Sequence, residues 1–96
     1  MSEHDVDRTM REIREEIAAV DRAILDDVNA RIELVAKIRR HKADTGLPFV
    51  DRDRERELIE ALGSGNAGPL SADGLRELYT YLLDLTKREV GGDGEH

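Results

Sequence analysis

Apolar residues recur along the first half of the chain at Ile13, Ile17, Val20, Ile24, Val28, Ile32, Val35 and Ile38, in steps of three and four. That spacing lines them up on one face of an α-helix and leaves charged residues on the remaining surface. Neither glycine nor proline interrupts the pattern between Arg8 and Gly46. It therefore predicts a single helix of roughly 30 to 35 residues, some 45 to 50 Å long, far beyond the average globular helix.

Ala43–Val50 (ADTGLPFV) breaks the pattern with Gly46 and Pro48 and reads as a loop. Asp51 then suits the N-cap of a second helix running to about Leu62, with Leu58, Ile59 and Leu62 on one face. Gly63–Pro69 (GSGNAGP) is a helix–helix connection. It lacks the preceding strand and the following Lys-Ser/Thr of a phosphate-cradling loop. Ser71 caps a third helix, with Asp73 in its favourable first turn and a stripe of Leu75, Leu78, Tyr79, Leu82, Leu83 and Leu85 reaching about Val90. Residues 1–7 are a polar lead-in expected to be disordered, 8–90 a single helical domain, and 91–96 a flexible tail. The short helices can cover only part of the long one. An all-α, three-helix protomer with one very long first helix thus calls for a homodimer in which the long helices pair and the partner covers the exposed stripe.

Composition agrees with that class. Ninety-six residues make one domain, and 39% charged residues with 3% aromatics suit an aliphatic core on helices. With no cysteine there is neither disulfide nor thiolate chemistry. A net charge of −7 argues against nucleic-acid binding as the main task. The sequence shows no signal peptide or apolar run of membrane-spanning length, so a cytoplasmic location away from membranes is expected. His4, His41 and His96 are too scattered to assemble a metal cluster, and no metal is expected.

The cations change the picture. Arg31 and Lys42 fall in line with the apolar stripe, where a charge is costly unless it has a partner or a ligand. They are about three turns apart on nearly the same face, so their side chains can lean toward a common point. Arg14 lies roughly 25 Å earlier along the axis on another side, within reach of Arg31 only on an antiparallel partner helix. Val50–Arg56 (VDRDRER) adds both charge signs at the head of the second helix. Arg52, Asp53 and Arg56 read there as solvated ion pairs. Together these residues describe a site for a small, multiply anionic molecule held between helices.

The ordered set of Ile13–Leu25 (IREEIAAVDRAIL), Arg31, Lys42, the proline loop and Val50–Arg56 resembles the all-helical chorismate mutases, intertwined homodimers of three-helix protomers. The resemblance covers about Arg11–Val90. It implies conversion of chorismate to prephenate in phenylalanine and tyrosine biosynthesis, a Claisen rearrangement that uses no cofactor. It also implies roles: Arg14 acts across the dimer interface, Arg31 and Arg54 hold the two carboxylates, and Lys42 donates to the ether oxygen. Asp51 and Glu55 match carboxyl groups near the ring hydroxyl and the carboxylate-binding loop. Lys42, Arg31 and Glu55 are the catalytic candidates. The chemistry accounts for these residue types. Rigid cations hold the dianion in a folded near-attack shape, and donors stabilise charge growing on the ether oxygen.

The third helix departs from the family pattern. Thr86 falls where a small hydroxyl residue is common, but Val90 replaces the usual Gln or Glu that is the second donor to the ether oxygen. Three outcomes are open for this end: an intrinsically slow enzyme, a substitute donor from the tail, or a partner that reshapes it. Family members with an apolar residue there include some activated by complexing with 3-deoxy-arabino-heptulosonate-7-phosphate synthase. Three alternatives stay open at this level: an isochorismate-pyruvate lyase, a 4-amino-4-deoxychorismate mutase, and a non-catalytic helical dimer module.

Overall fold

A computed structural model describes residues 3–48 and 50–91, and these form three helices: α1 (Glu3–Thr45), α2 (Arg52–Gly65) and α3 (Ala72–Glu89). The all-α class with one very long first helix holds. At 43 residues, α1 exceeds the length expected from periodicity, and residues 3–7 continue it rather than leading into it. Val6 and Met10 explain the extension, because they carry the three-and-four spacing back from Ile13. Thr9 Oγ1 also donates to the Asp5 carbonyl at 3.0 Å within these turns. Residues 1–2 and most of the expected tail, 92–96, lie outside the described residues.

The chain divides into two compact units, Met1–Arg31 and Ile32–His96. In the first, the apolar stripe has no cover: Ile13, Ile17, Val20 and Ile24 are 46–57% exposed. A solitary helical segment with so long an apolar face is not a self-sufficient fold in water.

The second unit holds the end of α1 together with α2 and α3. α1 stops at a left-handed turn. Gly46 has φ +79°, and Leu47 N donates to the Lys42 carbonyl at 3.0 Å, the six-to-one bond of a glycine-terminated helix. Pro48 then prevents continuation. Asp51 caps α2 by accepting from Arg54 N at 3.1 Å, and Ser71 caps α3 by accepting from Gly74 N at 2.9 Å. Between them Asn66 closes the connection, its Nδ2 donating to the Leu70 carbonyl and its Oδ1 accepting from Gly68 N.

α2 and α3 pack on each other. Leu75, Leu83 and Thr86 of α3 are buried, and Leu58, Ile59 and Leu62 of α2 are half-buried. Leu78, expected on the same stripe, is 51% exposed, as is neighbouring Tyr81 at 61%. The reason is angular. At 100° per residue, Leu78 and Tyr81 fall on the flank of α3 turned from the Leu75–Leu83–Thr86 face, alongside half-buried Leu85. α3 thus carries more apolar surface than α2 can cover.

Candidate active site

The glycine turn and the α2 cap bring two of the expected site residues together. Lys42, half-buried in the last turn of α1, lines a groove of about 540 Å³ with Leu47, Pro48, Val50, Asp51, Arg52 and Asp53. A cation and a carboxylate on either side of the proline loop therefore face one concavity with an apolar wall from that loop.

Glu55 stands one turn into α2, four residues beyond Asp51 and on the same side of the helix. It lines a second groove of about 850 Å³ between α2 and α3, beside Ile59, Leu75 and Leu83. Its carboxylate is held there: Lys87 Nζ donates to Oε2 at 2.8 Å, and Arg52 Nη1 lies 3.5 Å from Oε1. Arg54 points to solvent, 80% exposed, with only a long pair to Glu57 at 3.8 Å. Arg52 and Arg56 form i,i+3 pairs with Glu55 and Asp53, the helix-start pairing expected for this run.

Arg14 and Arg31 belong to the first unit, where Arg14 is exposed and Arg31 is half-buried. Thr86 is 1% exposed, and its Oγ1 donates to the Leu82 carbonyl at 2.7 Å, which spends its single donor inside α3. Val90 is half-buried at the C-cap, its backbone N donating to the Thr86 carbonyl at 3.1 Å. His41 is exposed. Among the described residues no group of three His, Asp or Glu side chains is placed to hold a metal ion, and no helix is long and apolar enough to cross a membrane.

The "Chorismate mutase type II" family matches residues 13–90. The chain belongs to that family. Solved structures agree: form I of chorismate mutase from Thermus thermophilus is 31% identical, with a TM-score of 0.80 over 81% of this chain and 98% of that one. Form II of the same enzyme is 29% identical, with a TM-score of 0.82 over 85% of this chain and 93% of that one. No curated protein sequence gives a significant match.

Within a chorismate mutase type II protomer the residue that sequence reasoning passed over is Lys87. It sits on the α2-facing side of α3, 12% exposed, where spacing from Leu83 and Val90 would suit an aliphatic residue. Its signal was present, since a cation interrupts an apolar stripe there as it does at Lys42. The partner, Glu55, is 32 residues away and became visible only when α2 met α3.

Proposed function

We propose that this protein binds chorismate in a site shared between two protomers and turns it into prephenate by electrostatic and geometric means. Membership of the chorismate mutase type II family makes it an isomerase of that class. The observation that carries the reading is the family match over residues 13–90, which includes every cation the reaction calls for.

The rearrangement breaks a C–O bond and forms a C–C bond within one molecule, so the protein supplies shape and charge. Arg31 and Arg54 hold the two carboxylates, each offering a bidentate fork. Lys42 donates to the ether oxygen, where negative charge grows in the transition state. Asp51 and Glu55 lie toward the ring hydroxyl and the loop that binds a carboxylate. Arg54 reaches the substrate by swinging from solvent, which its exposure and weak pairing allow. Thr86, buried with its hydroxyl donor committed to Leu82, serves the site by shaping the end of α3 rather than by donating to substrate.

The energetics of the separate units support a homodimer. Among the described residues only Leu75 and Leu83 are buried apolar side chains. So few fully buried apolar side chains leave a single chain short of the burial that offsets its conformational entropy. Pairing the α1 stripes, and covering Leu78 and Tyr81, supplies the missing burial. It also brings the partner's Arg14 into reach of a site it cannot share on its own helix.

Val90 supports a finer reading. An aliphatic side chain at the end of α3 cannot donate to the ether oxygen, so full activity awaits a second component at this end. 3-Deoxy-arabino-heptulosonate-7-phosphate synthase, an enzyme of the same cytoplasmic pathway, is the proposed partner. The test is chorismate consumption and prephenate formation by the purified protein, alone and with the synthase added. Cleavage of isochorismate to pyruvate and 2-hydroxybenzoate instead would identify a lyase, and no turnover of either would identify a non-catalytic module.

A further inference from the structure

We propose that Lys87 is the positioning residue of this site, holding the Glu55 carboxylate ready to accept a hydrogen bond from the substrate's ring hydroxyl. The inference rests on the chorismate-binding reading above and assigns a role to a residue outside the set of groups that touch substrate.

Cost is the first argument. A lysine ammonium at 12% exposure gives up much of its hydration. A leucine or methionine at the same place would pack against α2 without that penalty. A charge at such a position is accounted for when a neighbour requires it, and the neighbour is Glu55, at 2.8 Å and itself 20% exposed. Lys87 also lies 3.6 Å from Asp84, but that carboxylate is 57% exposed and contributes little.

Geometry is the second. Glu55 has several rotatable bonds, and without a partner its carboxylate would sample many positions along the α2–α3 groove. Lys87 takes Oε2 from the α3 side. Arg52 approaches Oε1 weakly, at 3.5 Å from an exposed position. The lone pairs that remain accept from a substrate hydroxyl at lower entropic cost when the carboxylate is already fixed. Glu55 stands on the same side of α2 as Asp51, about 6 Å along the axis, and Arg52 lines both the groove of Glu55 and that of Lys42, so fixing Glu55 sets an acceptor beside the latter. Lys87 touches no reacting atom and acts through Glu55.

The experiment measures kcat and KM of the full chain, of Lys87→Met, of Lys87→Arg, of Glu55→Ala and of the Lys87→Met/Glu55→Ala double variant. Two substrates are used: chorismate, and its analogue with the ring hydroxyl replaced by hydrogen. Lys87→Met is expected to lower kcat/KM for chorismate about tenfold, the scale of one hydrogen bond to a charged group, and to change that for the analogue less than about twofold. Lys87→Arg should recover part of the loss, and Lys87→Met should add nothing once Glu55 is alanine. An equal loss on both substrates would mean that Lys87 is only a tie between α2 and α3, and would overturn the proposal. So would full activity of Lys87→Met. If Lys87→Met fails to fold by circular dichroism, Lys87→Gln, which keeps a donor of similar reach, is held to the comparison between the two substrates. Glu55→Ala as active as the wild type would overturn the role of Glu55 and leave the mutase reading standing. A wild-type protein that does not turn over chorismate would overturn both.

Discussion

Lys42 and Arg54 carry the same sign and should fail differently when removed. In the proposed site Lys42 acts on charge that exists only in the transition state, so Lys42→Ala should lower kcat by about two to three orders of magnitude with little change in KM. The proposed partner of Arg54 is a carboxylate that is charged throughout, so Arg54→Ala should raise KM as well. Because Arg54 is exposed and its pair with Glu57 is long, the substitution should leave the unfolding midpoint in place, which separates binding from folding. Steady-state kinetics beside a thermal melt decide both points, and a Lys42→Ala effect confined to KM would refute its role. Val90 offers the reverse test. If the ether oxygen lacks a second donor, Val90→Gln should raise kcat by up to about a hundredfold with KM nearly constant. If a partner enzyme already completes the site, the same change should be neutral or harmful in its presence.

At the scale of elements, the turn at Gly46 matters most, because it returns the chain so that Asp51 faces Lys42 across one groove. Its φ of +79° suits glycine, and the space around it is open, so an added Cβ meets no atom and the whole penalty is conformational. Gly46→Ala should cost about 1–2 kcal/mol of stability, and kcat/KM should fall with it, because the reorganised turn moves Lys42 and Asp51 apart. Denaturant unfolding and kinetics on the same variant check this. Loss of stability with wild-type kinetics would show that the groove does not depend on the turn.

At the scale of the molecule, the uncovered faces of α1 and α3 make the dimer the proposed unit of both stability and function. An Arg14→Ala chain and a Lys42→Ala chain should each be inactive. Mixed after verified subunit exchange, they should regain activity, to about a quarter of the wild-type level, as one of the two sites in each heterodimer then holds both residues. No recovery would argue for sites built within one protomer. Ile17→Glu, which places a charge in the middle of the exposed stripe, should shift the protein toward monomer or unfolded chain, read by light scattering and circular dichroism.

Much of this was legible in the sequence wherever short-range rules apply. Helical spacing, the glycine stop, the caps at Asp51 and Ser71 and the cations lying on an apolar stripe are each determined within a few residues, so the chain carries them by itself. Resemblance added the chemistry, because the order of Arg14, Arg31, Lys42, Asp51, Arg54 and Glu55 is itself a linear signal. A stripe read from Ile13 onward starts α1 too late, since Val6 and Met10 extend it through residues that look polar on average. Tertiary packing decided which flank of α3 is covered, leaving Leu78 outside, and it buried Thr86, whose hydroxyl turns to the Leu82 carbonyl. It also joined Glu55 to Lys87. Periodicity says that a helix has an apolar side. How far round that side a neighbour reaches, and which charges it brings into contact, depends on where two helices settle, which no single stretch of sequence encodes.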